Sequence, residues 1–140
     1  MKLITIKNLS KTYHTPTKEI KAIEDITLDI REHEILGIVG TSGCGKSTLL
    51  NILTKLEKES SGTIKEEKEL IIGYMMQTDA LLPWLTVYEN CILGLKLKKI
   101  NTPENIGYVN NLLSKYGLND FKNEYPKNLS GGMRQRVVCI

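Results

Sequence analysis

Nine consecutive residues, Gly40-Thr41-Ser42-Gly43-Cys44-Gly45-Lys46-Ser47-Thr48, carry the strongest chemical signal in the chain. Gly40, Gly45, Lys46 and Ser47 occupy the fixed positions of the phosphate-binding pattern G-x-x-x-x-G-K-[ST]. The residue types suit that chemistry. Glycines let backbone N–H groups turn inward and approach phosphate oxygens closely. A helix that follows such a loop points its positive end at the same oxygens. Lys46 supplies a point charge for the β- and γ-phosphates, and the Ser47 hydroxyl can ligate Mg²⁺. Cys44 reads either as a small filler or as a thiol whose modification would block a nucleotide.

A second glycine-rich segment, Leu129-Ser130-Gly131-Gly132-Met133, precedes the helical-looking stretch from Arg134 to Ile140. It is a second candidate anion cradle at a helix N-terminus. Two single residues join these loops. Tyr13 is the one aromatic in a polar stretch. It reads either as a flat partner for a base or as a strand-end tyrosine at a half-buried edge. Gln77 follows the apolar run Leu70 to Met76, and ligands in open α/β sheets sit beyond the carboxyl ends of strands. A glutamine there can ligate Mg²⁺ and orient a water, or it can be an ordinary loop residue.

These residues need elements to hold them. Glu34 to Val39 is a short apolar run that reads as a buried strand, and Leu49 to Leu56 has helical apolar spacing. Strand, glycine loop and helix is the context that the phosphate pattern requires. Residues 2 to 8 and 22 to 30 alternate apolar and polar, which predicts two antiparallel strands joined by a polar turn or loop from Ser10 to Lys21. Thr63-Ile64-Lys65 starts a short strand, Glu66 to Glu69 is a solvated turn, and Leu70 to Met76 reads as a buried strand. Thr86 is a predicted N-cap for a helix from Val87, which runs into the basic stretch Lys96 to Lys99. Pro103 opens another helix, Glu104 to Tyr116, stopped by Gly117. Asp79 to Trp84 puts apolar bulk beside Pro83, either as a partner surface or as a loop folded onto its own core. The expected fold class is α/β. It comprises a phosphate-loop core, a small antiparallel sheet from residues 1 to 30 and 62 to 76, and a helical subdomain from about 86 to 130.

Composition sets the outer bounds. The 140 residues amount to one domain or part of one, with 41% hydrophobic and 25% charged residues, both ordinary for a globular chain. No apolar run is long enough to span a bilayer, and the N-terminus lacks the apolar core of a signal peptide, so the reading is cytoplasmic. A net charge of +3 is too weak to argue for nucleic acid. Cys44, Cys91 and Cys139 are odd in number and lack metal-ligand spacing, which reads as reduced thiols.

With both glycine loops in view, the sequence resembles the ATP-binding subunits of ABC transporters, in order and spacing along the whole chain. Tyr13 falls where that family has its adenine-stacking aromatic. Gly40 to Thr48 matches its Walker A loop, Gln77 its Q-loop glutamine, and Leu129 to Met133 its signature motif. The stretch Asp79 to Asn90 is similar to the branch that serves nitrate, sulfonate, taurine and bicarbonate importers. The resemblance implies ATP and Mg²⁺ as ligands, with Lys46 and Gln77 in catalysis and Ser47 and Gln77 on the metal. It implies a dimer in which Ser130, Gly131 and Gly132 of one subunit cap the γ-phosphate held by Gly40 to Thr48 of the other. It also implies contact with a transmembrane permease through residues 78 to 86, on the inner face of the cell membrane.

The same pattern continues in the family to a Walker B strand bearing the Mg²⁺-binding Asp and the catalytic Glu, then a D-loop and a switch His. None of these falls within the 140 residues. The chain taken alone is therefore expected to be marginally stable and inactive, with Val137, Val138 and Ile140 partly exposed. Val137-Val138-Cys139-Ile140 stands where the family usually reads toward Ala-Arg-Ala-Leu, and the connection at Glu66 to Glu69 is shorter than in many relatives. Two other readings stand beside the import ATPase. One is a non-catalytic truncated fragment of such a subunit. The other is a different phosphate-loop enzyme such as a small kinase, against which Ser130-Gly131-Gly132 argues.

Overall fold

The computed structural model describes residues 1–140, and its chain divides into two compact units, Met1–Tyr74 and Met75–Ile140. The first unit is built on a long hairpin, β1 (Lys2–His14) against β2 (Glu19–Arg31), with β3 (Ser61–Glu66) on the other side of β1. All pairings are antiparallel, with Ile6 opposite both Leu28 and Ile64.

Strict alternation from Ile6 would turn Leu9 outward. Instead the register shifts between Ile6 and Leu9, and Asn8 takes a left-handed conformation with φ 50°. Asparagine tolerates that region better than most residues, and the bulge turns Leu9 inward. Asp25, across the hairpin, is left-handed too, and the Asn8 amide donates to its carboxylate at 2.7 Å. As a result Ile4, Ile6 and Leu9 are all buried with Ile23.

The segment from Ser10 to Lys21 is not the loop its polarity suggested. β1 continues to His14, and the turn is only Thr15 to Lys18, closed by Thr15 N–H donating to the Lys18 carbonyl at 2.9 Å. Exposed strand ends carry polar side chains without losing their ladder, so composition there marked the surface rather than a break.

One helix, α1 (Lys46–Leu53), covers the sheet. Leu49, Ile52 and Leu53 repeat at helical spacing and pack on Ile4, Ile6, Leu9 and Ile23. That packing fixes where the helix starts, and hence where Lys46 stands. The helix ends at Leu53, short of the predicted Leu56, with Lys55 left-handed at φ 61°.

Two expected strands are not strands. The backbones of residues 34 to 39 and 70 to 76 pair with none of β1 to β3, so the antiparallel sheet ends at Glu66 rather than Met76. Ile35 (103%), Val39 (93%) and Ile71 (94%) are fully exposed. An apolar run becomes a buried strand only where neighbouring strands take its N–H and C=O groups. Within Met1–Tyr74 nothing does so.

The second unit contains three helices, α2 (Val87–Leu97), α3 (Pro103–Lys115) and α4 (Gly131–Val138), with two short 3₁₀ turns at Asn119–Phe121 and Pro126–Asn128. Thr86 caps α2 in a full capping box. Its hydroxyl accepts from Glu89 N–H at 3.2 Å, and the Glu89 carboxylate accepts from Thr86 N–H at 2.8 Å. α3 opens on Thr102 and Pro103 and is followed by Gly117 at φ 67°. Val87, Ile92, Val109, Leu113, Leu118, Leu129 and Val137 form the core. Val137 was expected to lie partly exposed, yet it is buried, because α4 packs its Val137 side against α2 and α3 residues; Val138 and Ile140 are half-buried.

The apolar connection before α2 takes both of its possible forms. Asn90 ties residues 82 to 86 into a turn through bonds with Leu82, Leu85 and Thr86, and Leu81 packs on the core. Pro83 and Trp84 remain exposed. All three cysteines are free, and burial pushes the Cys91 thiol up to about 11.

Candidate functional site: a phosphate cradle

Gly45 ends the phosphate loop in the left-handed conformation, φ 90° and ψ 4°, and serves as N-cap of α1 without any side-chain cap. A Cβ at this position would overlap the carbonyl oxygen of Ala22 on β2, so only glycine fits. The loop thus lies directly on the hairpin. The N–H groups of Lys46, Ser47 and Thr48 find no acceptor within the protein, while Leu49 N–H already donates to Gly45 O at 2.9 Å. Three unpaired amides and the positive end of α1 therefore face outward at one spot.

Lys46 reaches back over the loop. Its Nζ donates to the carbonyls of Gly40 (2.9 Å) and Thr41 (2.7 Å) and lies 3.4 Å from Cys44 Sγ. Cys44 fills the space above Gly40, where a Cβ would stand 2.6 Å from its sulfur. Gly43 is left-handed as well, at φ 80°, but in open space. A charge bent over its own loop, open amides and a glycine-only contact suit an anion of phosphate size.

Tyr13 lies one residue before the end of β1, beside this loop. Its hydroxyl lies 3.4 Å from Thr48 Oγ1, and the Lys11 ammonium sits 5.1 Å from its ring centre. Glu57 completes the group: the Tyr13 hydroxyl first, and then Lys11 at 3.2 Å, hold its carboxyl below the usual range. Sequence patterns did not single out Lys11 or Glu57, because both read as ordinary surface charges. One ring face carries a cation, and the residue is only half-buried.

In the second unit, Ser130 is the N-cap of α4, accepting from Met133 N–H at 3.3 Å, and Ser130, Gly131 and Gly132 are all exposed. Gln77 is exposed on a cavity of about 640 Å³ that Asp79, Gly131, Arg134 and Gln135 also line. The Arg134 guanidinium donates to Asp79 at 2.6 Å and to the Leu129 carbonyl at 2.9 Å. It thereby joins the Gln77 segment to the start of α4. No spacing rule links residues 55 apart, so only the folded chain reveals this pair. The structure so gathers Tyr13 and Gly40 to Thr48 in one unit, and Gln77 and Ser130 to Gly132 in the other.

A family model described as "ABC transporter" matches residues 23–140. The chain belongs to the ABC transporter family. It is 39% identical over 144 residues to the uncharacterized ABC transporter ATP-binding protein YtlC of Bacillus subtilis, covering 99% of this chain and 55% of that protein. It is 40% identical over 149 residues to the methionine import ATP-binding protein MetN 2 of Bacillus cereus, covering 96% of this chain and 44% of the relative. The chain thus spans about half the length of these curated relatives. Its fold is that of an ATP-binding cassette. The MJ0796 cassette, solved as a dimer in a post-hydrolysis state bound to ADP and Pi, superposes with a TM-score of 0.83 at 33% identity over 97% of this chain and 67% of that one. The fold class is therefore the α/β one expected, with a small antiparallel sheet and a helical part.

If Tyr13 stacks on a base, Tyr13→Ala should lower the affinity for ATP and GTP alike, by roughly 1–3 kcal/mol, because stacking reads a π-face and not hydrogen-bond edges. Tyr13→Trp should cost little. Fluorescence titration with both nucleotides distinguishes this from a tyrosine that merely finishes a strand, for which neither affinity would change.

Proposed function

We propose that the chain is the N-terminal part of the ATP-binding domain of an ABC transporter subunit, which binds and hydrolyses ATP to drive import of a small solute. The observation that carries this reading is the cradle at α1: three open amides, Lys46 above them, and Gly45 locked against Ala22. These residues suit a triphosphate. Lys46 would exchange its loop carbonyls for phosphate oxygens, the Ser47 hydroxyl would ligate Mg²⁺, and Tyr13 would stack on the base. Mg²⁺ bound there would supply neutralisation of phosphate charge. Gln77 would orient a water through its amide. Ser130, Gly131 and Gly132 would close over the nucleotide of a second subunit.

Contact with a transmembrane permease through residues 78 to 86 belongs to the same proposal, with the exposed Pro83 and Trp84 as its apolar centre. No helix is long and apolar enough to cross a membrane. We place the chain on the cytoplasmic face, held through that permease. The stretch Asp79 to Asn90 favours the nitrate, sulfonate, taurine and bicarbonate branch. Relatives named for methionine import favour an amino acid as solute. Transport assays with each solute class in a strain lacking the gene discriminate between these.

Residues 1–140 assayed by themselves should bind ATP without turning it over. The carboxylate that polarises water in the family is not among them, and catalysis of phosphoryl transfer rests on that constellation. Phosphate release should stay at background. Turnover of ~0.1 per second or faster, abolished by Lys46→Ala, would show another carboxylate in that role, since enzymes commonly work at about 1 per second or above. Absence of ATP binding would instead favour the non-catalytic fragment reading.

A further inference from the structure

The end of α2 and the turn after it read Leu95-Lys96-Leu97-Lys98-Lys99-Ile100. Lys96, Lys98 and Lys99 are exposed, and none of them forms an ion pair. The helix dipole favours a cation in the last turn, and Lys96 meets that need. Lys98 and Lys99 lie beyond it, and Lys99 is left-handed at φ 57°, which ends the helix abruptly. The nearest carboxylate in sequence is Glu104, in the first turn of α3. Apolar side chains share this surface: Leu97 is 75% exposed and Tyr108 65%, and Ile100 is exposed as well. Lys98 meets Ile100 and Tyr108 at one open cavity of about 310 Å³, with Lys96, Leu97 and Lys99 exposed on the adjoining residues of the same turn.

Exposed apolar residues interleaved with unpaired lysines suit neither bulk water nor an acidic protein groove alone. Cations match anionic headgroups, Leu97 and Ile100 match the acyl boundary, and a tyrosine fits the interface between them. We propose that the α2–α3 turn rests on the anionic surface of a lipid bilayer. The inference goes beyond nucleotide binding and does not depend on it. Each lysine near an anionic surface contributes about 1 kcal/mol, so neutralising three should lower vesicle partitioning on the order of 100-fold.

The test is sedimentation of the 140-residue chain with sucrose-loaded phosphatidylcholine vesicles, with and without 30% phosphatidylglycerol (about one anionic lipid in three, enough for a strongly negative surface). The variant is Lys96→Gln/Lys98→Gln/Lys99→Gln. The control is Lys18→Gln/Lys115→Gln/Lys127→Gln, which removes the same charge from other exposed positions. The proposal expects the wild type and the control to pellet with anionic vesicles and the variant to stay in solution, with helical content unchanged by circular dichroism. Equal pelleting on neutral vesicles, equal loss in variant and control, or no pelleting at all would each overturn it. The last result would point to an acidic protein as the partner.

Discussion

Lys46→Ala should weaken ATP binding by ~2 kcal/mol or more, about thirtyfold, since charge-assisted hydrogen bonds contribute about 1.5–3 kcal/mol. Lys46 is the only cation whose head group lies on the phosphate loop, bonded at 2.9 and 2.7 Å to two of its carbonyls. Those carbonyls can return to water when the side chain is removed, because the loop is exposed. The folded state should therefore lose little, and the effect should appear in affinity rather than in stability. Isothermal calorimetry checks the first, and a thermal melt the second. Equal affinity in wild type and variant would remove Lys46 from the phosphate site.

Gly45→Ala should do the opposite and damage the fold itself. A left-handed conformation costs an alanine roughly 1–2 kcal/mol. In addition, its Cβ would meet the Ala22 carbonyl, which belongs to β2 and cannot move without disturbing the hairpin. A combined loss above ~2 kcal/mol should lower the melting temperature by at least about 8 °C for a unit of this size. Gly43→Ala offers the comparison. Gly43 has a similar φ of 80° but nothing near its Cβ, so only the conformational part should appear. If the two variants melt alike, the loop does not rest on β2 as described.

The parts of the fold that could be read from the chain are those governed by local chemistry. Thr86 with Glu89, Pro103 with Gly117, and Ser130 before two glycines announce helix ends through caps that act within one turn. The phosphate loop was legible for the same reason, because Gly45 and Lys46 act within a few residues of each other. What failed depends on distant partners. Glu34 to Val39 and Leu70 to Met76 have the composition of buried strands, but strand character is conferred by neighbours that residues 1–74 do not supply. The hairpin arms were underestimated because Lys11, Thr12 and His14 look like loop residues until β2 is laid opposite them. Arg134 with Asp79, and Tyr13 with Lys11 and Glu57, are side-chain meetings that only the folded chain creates.

The open amides at the start of α1 should receive a nucleotide's phosphates. A titration of ¹⁵N-labelled chain with Mg-ATP, followed by amide chemical shifts, addresses this at the atoms concerned. The largest shifts should fall at Gly43 to Thr48, with a smaller ring-current effect at Tyr13, and both should be lost in Lys46→Ala. Shifts that leave Gly43 to Thr48 unmoved, or that persist unchanged in the variant, would contradict it.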